Sequence, residues 1–155
     1  QRDFLTVGGM GHTASLAWGI ALAQPQRRVV CLDGDGSLLM HMGALPVIAE
    51  QSPKNLLHIL LNNRAHESVG GQPTAAGLVD FRAVALACGY QDYFAASSIE
   101  QVQSVLADIN TSGATGPLLF EIHLAQGSRP DLGRPTRTPQ QNKQAVMQHL
   151  GVEHA

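Results

Sequence analysis

The sequence predicts an α/β domain with a central, mainly parallel sheet and helices on both faces. Three observations predict it. Short, continuous apolar runs alternate with longer Ala- and Leu-rich stretches of helical length. Two of the apolar runs end in Gly- or Asn-rich turns, as strands do at the ligand-binding edge of open α/β sheets. The stretch from Ser98 to Asn110 sets Ile99, Val102, Val105, Leu106 and Ile109 along one side of a helix.

Taken in order, Phe4-Leu5-Thr6-Val7 reads as a short strand running into Gly8-Gly9-Met10-Gly11. His12 to Ala23 reads as a helix stopped by Pro25. Val29 to Leu32 is uniformly apolar and is expected to be buried on both faces of a parallel sheet. Asp33-Gly34-Asp35-Gly36 turns the chain, and Ser37 is the expected N-cap of a helix from Leu38 to Glu50. Pro46 should kink that helix. Asn55 to Leu61 is the next buried strand, ended by Asn62-Asn63. The loop that follows, with Gly70, Gly71, Pro73 and Gly77, is longer than a connection needs, which marks it as functional. Asp80 caps a helix that runs to Cys88 and stops at Gly89. Tyr90 to Ala95 is a short strand, and Gly116-Pro117 introduces the last one, Leu118 to Leu124. Residues 1–124 thus form the body of a single domain. Residues 125–155 form an Arg/Pro-rich arm and a helix, about Gln140 to Leu150, of that same domain.

The 155 residues are enough to bury a substantial core without disulfides or a structural metal. A hydrophobic content of 44% and a net charge of −2 exclude a disordered chain and a basic nucleic-acid binder. Charged residues make up only 14%, against about a quarter in soluble domains, so part of the surface is expected to face a partner chain. Cys31 and Cys88 lie in apolar stretches and read as buried free thiols of a reducing compartment. No apolar run approaches the roughly 18 residues that span a membrane, and Gln1-Arg2-Asp3-Phe4 has no signal-peptide layout. A cytoplasmic protein with no membrane or nucleic-acid partner is expected.

The interval from Asp35 to Asn63 leaves room for one helix and one return strand, so both residues should stand at carboxyl ends of strands in one sheet. A carboxylate and an amide oxygen suit Mg²⁺, a hard cation that shares its oxygen ligands with phosphates. Gly34 and Gly36 let the backbone approach an anion, and a helix beginning near Ser37 directs free N–H groups at it. Gly34-Asp35-Gly36 alone reads better as an empty turn; it is the pairing with Asn62-Asn63 that points to a bound diphosphate.

Those residues resemble the cofactor motif of thiamine-diphosphate enzymes. The resemblance implies a three-layer α/β/α sandwich in which Asp35, Asn63 and the carbonyl of Ala65 hold Mg²⁺, while Gly36 and Ser37 meet the diphosphate. Gly8-Gly9-Met10-Gly11 resembles the segment that wedges an apolar side chain, here Met10, beneath the bent cofactor. The Gly8 carbonyl would then accept from its 4′-amino group. As a plain core residue, Met10 would only fill a gap. The stretch from Asn63 through His66, Glu67 and Gly70-Gly71-Gln72-Pro73-Thr74 resembles the active-site loop of phosphonopyruvate decarboxylases. Arg129, Asp131-Leu132-Gly133-Arg134-Pro135 and Pro139 through Lys143 resemble that family's ending. Sulfopyruvate decarboxylases have a related loop.

The implied reaction is decarboxylation of 3-phosphonopyruvate to phosphonoacetaldehyde and CO₂, with sulfopyruvate to sulfoacetaldehyde as the alternative. The family also needs a pyrimidine-binding chain or domain whose glutamate drives the cofactor's tautomerisation. The resemblance therefore implies an α-type subunit or N-terminal domain as partner, in a hetero-oligomer built on dimers. His66 is a candidate proton donor, or else orients the loop. His12 either moves protons or simply starts its helix. Glu67 polarises His66, binds an amine, or is a solvated loop acid. Arg64, Arg129 and Arg134 suit a bidentate clamp on a phosphonate, or contacts to the partner chain. His41, His58, His123, His149 and His154 show no metal-ligand spacing and read as structural or solvent-facing. A rival reading takes Gly9, Gly11, Ala14 and Asp33 as a dinucleotide fingerprint. It leaves Gly34-Asp35-Gly36 and Asn62-Asn63 without a task.

Overall fold

A computed structural model describes residues 2–152; His154 lies outside them. After an extended start, α1 covers Thr13–Ala23 and β1 covers Val29–Gly34. Two helices, α2 (Asp35–Met40) and α3 (Ala44–Gln51), lead to β2 (Leu56–Asn62). A small hairpin follows, β3 (Ala65–His66) with β4 (Gln72–Pro73). Then come α4 (Phe81–Cys88), β5 (Asp92–Ala96), α5 (Ile99–Thr111), β6 (Leu118–His123) and α6 (Pro139–Leu150).

Among the described residues the main sheet has four strands in the order β1-β2-β6-β5, and every pairing is parallel. β2 is central, and all of its residues except Leu61 are buried. Because successive strand residues point to opposite faces, two-sided burial requires a helical layer on each side. Leu56, Leu60 and Leu119 pack with residues of α1 to α4 such as Ala17, Leu45 and Phe81. Leu57, Ile59 and Phe120 pack on the other face with Ile109, Val102, Val105 and Leu106 of α5. The result is a three-layer α/β/α sandwich.

Several local expectations are corrected. Phe4 to Val7 forms no strand. The Leu5 N–H donates to Asn142 Oδ1 at 2.8 Å, and Asn142 Nδ2 donates to the Asp3 carbonyl at 3.0 Å. A buried side chain of α6, not a neighbouring strand, satisfies that backbone. β1 is an edge strand and is not buried on both faces: Val30 and Leu32 are 49% and 60% exposed. The helix expected from Leu38 to Glu50 is two helices, and the break falls between Met40 and Ala44 instead of at Pro46. Pro46 sits in the first turn of α3, where a backbone N–H has no partner within the helix, so its missing donor costs nothing. Gly34, not Ser37, precedes α2 in extended conformation. Ile99 is 64% exposed, away from the apolar side of α5. Cys31 is buried and free, whereas Cys88 is only half-buried.

The expected cap at Asp80 is present, and Ser98 caps α5 in the same way; each side chain accepts from the N–H three residues on. α6 opens with a reciprocal cap in which Thr138 accepts from the Gln141 N–H and Gln141 accepts from the Thr138 N–H. Thr138→Ala is expected to cost about 1 kcal/mol, seen as a melting point about 2–4 °C lower in calorimetry. No helix among the described residues is long and apolar enough to cross a membrane.

Candidate functional site

The parallel register sets Gly34 of β1 opposite Leu61 of β2, so the segments leaving both strands emerge side by side. Asp35 is the first residue of α2 and is 1% exposed. Asn63 follows β2 directly. Its Oδ1 accepts from the Ala65 N–H at 3.0 Å, which folds the chain back into β3 and leaves that oxygen a second lone pair. Ala65 pairs with Pro73, which has no N–H to offer the Ala65 carbonyl. Carboxylate, amide oxygen and carbonyl are all oxygen donors of the kind a hard divalent cation takes.

The hairpin is anchored onto this corner. Thr74 follows β4, and its hydroxyl donates to Asp35 Oδ2. The His66 ring lies so close to Gly36 that a Cβ there would stand 2.2 Å from its Cε1. Only glycine leaves His66 that position. The Gly-rich segment before α1 is tied to the same corner, because the Gly11 N–H donates to Ser37 Oγ at 2.9 Å. Gly11 has φ +92°, and a Cβ on it would lie 2.4 Å from His41 Nδ1. Met10 and Gly9 are half-buried in this segment, beside the exposed Gly8. The structure therefore gathers Gly11 of the Gly8–Gly11 segment, Gly34, Asp35, Gly36, Ser37, Asn63, Ala65 and His66 around the ends of two adjacent strands.

Other sequence candidates lie elsewhere or do something else. His12 is exposed and stacks on His41, with ring centroids 4.2 Å apart. Glu67 Oε1 accepts from the Gly127 N–H at 2.6 Å and from Asn63 Nδ2 at 3.4 Å, so it links the hairpin to the segment after β6. Arg129 pairs with Asp131 at 3.4 Å, both largely exposed. Arg134 lines a cleft with Asp3, Leu5 and Val7. The dinucleotide reading loses its context, since residues 2–8 form no sheet strand, and Asp33 is buried beside His58 instead of facing a ligand.

Two features escaped sequence reasoning. The first is Thr74, which nothing local connects to Asp35. The second is a buried support under the Asn63 turn. Asn62, 4% exposed, donates from Nδ2 to Glu121 Oε1 at 2.6 Å, and its Oδ1 accepts from the Arg64 N–H at 3.2 Å. The Tyr93 hydroxyl donates to the other oxygen of Glu121. Burial pushes the Tyr93 phenol up, and the hydrogen bond and charge of Glu121 push it further, so it stays a donor. A polar residue ending an apolar run was the one available signal, and it marked Asn62 as a turn.

Arg64 is exposed and adopts φ +59°, a left-handed conformation that costs an L-residue about 1–2 kcal/mol. Arg64→Gly is expected to stabilise the fold by up to about 1 kcal/mol, after the glycine's extra unfolded-state entropy is subtracted. Urea denaturation measures it, and a lower midpoint would contradict the strain argument.

Comparison with known proteins agrees with this geometry. The phosphonopyruvate decarboxylase of Streptomyces viridochromogenes is 44% identical over 140 residues, covering 90% of this chain and 34% of that protein. The sulfopyruvate decarboxylase subunit beta of Methanothermobacter thermautotrophicus is 39% identical over 127 residues, covering 82% of this chain and 64% of that one. The chain thus spans about a third of the first relative's length. The solved thiamine diphosphate-dependent 4-hydroxybenzoylformate decarboxylase of Rhodococcus jostii RHA1 superposes with a TM-score of 0.64 at 24% identity. That superposition covers 79% of this chain and 24% of that one, and supports the fold. Residues 1–122 match the thiamine pyrophosphate enzyme C-terminal TPP binding domain, and the chain belongs to that family.

Proposed function

We propose that this chain binds the diphosphate of thiamine diphosphate through Mg²⁺ and forms one half of a decarboxylase of 3-phosphonopyruvate. The observation that carries the reading is the loop from Asn63 to Thr74 folded onto Asp35 by the Thr74 hydroxyl, with the His66 ring against Gly36. Asp35, Asn63 and the Ala65 carbonyl hold the cation, and Gly36 and Ser37 meet the diphosphate. Met10, half-buried in the segment that Gly11 ties to Ser37, supports the cofactor's bend. Bound thiamine diphosphate supplies a carbon nucleophile for the 2-oxo group and an electron sink for the bond to CO₂.

This chain's residues do the rest. His66, held against Gly36, delivers a proton to the carbon that loses CO₂. Glu67, held by the Gly127 N–H, keeps the loop in place. Arg64 is the cation nearest the turn and meets the substrate's far anion. Arg129 and Arg134 extend that positive surface, or meet the partner. A pyrimidine-binding chain or domain supplies the glutamate, and exposed Val30, Leu32 and Leu78 support contact with further protein. The free thiols of Cys31 and Cys88 support a reducing, cytoplasmic compartment.

The identity to the sulfopyruvate decarboxylase subunit, over 64% of its length, favours a second reading with sulfopyruvate as substrate. Both are tested by assembling the chain with a pyrimidine-binding partner and comparing kcat/KM for the two acids. A tenfold preference for 3-phosphonopyruvate, about 1.4 kcal/mol of transition-state binding, is the expected result. The opposite preference replaces the substrate, and normal turnover by this chain alone removes the partner.

A further inference from the structure

A second cluster of metal-ligating side chains lies inside the sheet, independent of the oxygen ligands at Asp35. Cys31 and Asp33 stand two positions apart on β1 and so project from the same face. The register sets His58 of β2 opposite Cys31. All three are buried, with His58 completely enclosed. Their ligand atoms lie within 4.8 Å of one another.

Hydrogen bonding does not account for this arrangement. Neither carboxylate oxygen of Asp33 has a hydrogen-bond partner, nor has His58 Nε2. A carboxylate this deep with no hydrogen bond is costly, because the ion-pair distance to His58 replaces little of its lost hydration. The gap between His58 Nε2 and Asp33 Oδ2 is 3.4 Å and is not closed by a hydrogen bond. It matches the edge of a coordination tetrahedron, about 3.3 Å when N and O stand about 2.0–2.1 Å from a zinc ion. On its far side, His58 Nδ1 lies 3.2 Å from the Tyr90 hydroxyl. A ligating histidine has such an outer contact, which fixes its tautomer and turns the other nitrogen towards the metal.

We propose that Cys31, Asp33 and His58 form a buried three-ligand site for Zn²⁺, a water molecule completing the tetrahedron, with Tyr90 holding His58 from outside. Thiolate and imidazole select a borderline-soft ion over Mg²⁺. A thiolate and a carboxylate neutralise a divalent charge, so the occupied site carries no net charge into the core. The ion would clamp β1 to β2 immediately before both strands deliver Asp35 and Asn63.

The test is elemental analysis of the folded full-length chain, followed by Co²⁺ substitution. Expected are one zinc per chain, retained in excess Mg²⁺, and a Co²⁺ derivative with thiolate charge-transfer and tetrahedral d–d absorption. Cys31→Ser is expected to remove the charge-transfer band and weaken Zn²⁺ binding at least about a hundredfold. Tyr90→Phe, which keeps the ring and its packing, is expected to weaken binding about tenfold. Asp35→Asn should leave the zinc content unchanged, which separates this site from the cofactor's. A folded wild-type chain that binds neither Zn²⁺ nor Co²⁺ stoichiometrically overturns the proposal. So does undiminished affinity in Cys31→Ser or, should that variant not fold, in Tyr90→Phe.

Discussion

Asp35→Ala is expected to abolish Mg²⁺-dependent binding of thiamine diphosphate, measured by calorimetry on the chain assembled with the proposed pyrimidine-binding partner. Asp35 is 1% exposed and supplies the charged oxygen of the proposed set. Asn63 and the Ala65 carbonyl offer only neutral dipoles, too weak to replace the hydration of a small divalent ion by themselves. A loss of at least about a hundredfold, or about 2.7 kcal/mol, follows. Removing the carboxylate also takes away the acceptor of the Thr74 hydroxyl, which frees the end of the hairpin. Asp35→Asn separates the two effects, since an amide oxygen still accepts from Thr74 but carries no charge. It should retain the wild-type melting point and lose cofactor affinity. Unchanged affinity in both variants would remove Asp35 from the metal site.

Asn62→Ala is expected to lower stability by about 2–3 kcal/mol, although Asn62 itself holds no ligand. Its amide donates to Glu121, a carboxylate only 4% exposed. Removing the donor leaves one oxygen of a buried charge without its hydrogen bond, and the penalty for such a group exceeds that for a neutral one. Tyr93 still serves the other oxygen, which keeps the cost below that of a fully orphaned charge. For a domain of this size the expected change is a melting point lower by roughly 5–10 °C. Asn63→Ala supplies the contrast, because Asn63 is half-buried and makes an Asx turn. It should disturb stability less and cofactor affinity more. Equal stability losses in the two variants would show that the adjacent asparagines share one role.

Strands β2 and β6, most helix ends and the corner that holds Asp35 and Asn63 were legible because their signals are local. An apolar run stopped by Gly-Asp-Gly, or by a pair of asparagines, announces a strand end whatever it packs against. The same holds for the cap at Asp80, where one side chain and a backbone N–H three residues away suffice. Proline was misread because its effect depends on position. Within a helix it breaks a hydrogen bond, but in the first turn of α3 no such bond exists to break.

The sequence by itself determined the α/β class, the parallel pairing and the residue types that gather at the strand ends, since periodicity and turn chemistry are written within each segment. It did not contain the order of the strands, and everything that depends on that order came only with the tertiary structure. Val29 to Leu32 reads as a buried strand, yet β1 closes the sheet's edge and leaves Val30 and Leu32 largely open. Asn62 meets Glu121 because β2 lies beside β6, and His58 meets Asp33 because β2 also lies beside β1. Thr74 reaches Asp35 because the hairpin folds back over the ends of both strands. The period of a strand states which face a side chain takes; only packing across the sheet decides which residue stands next to it.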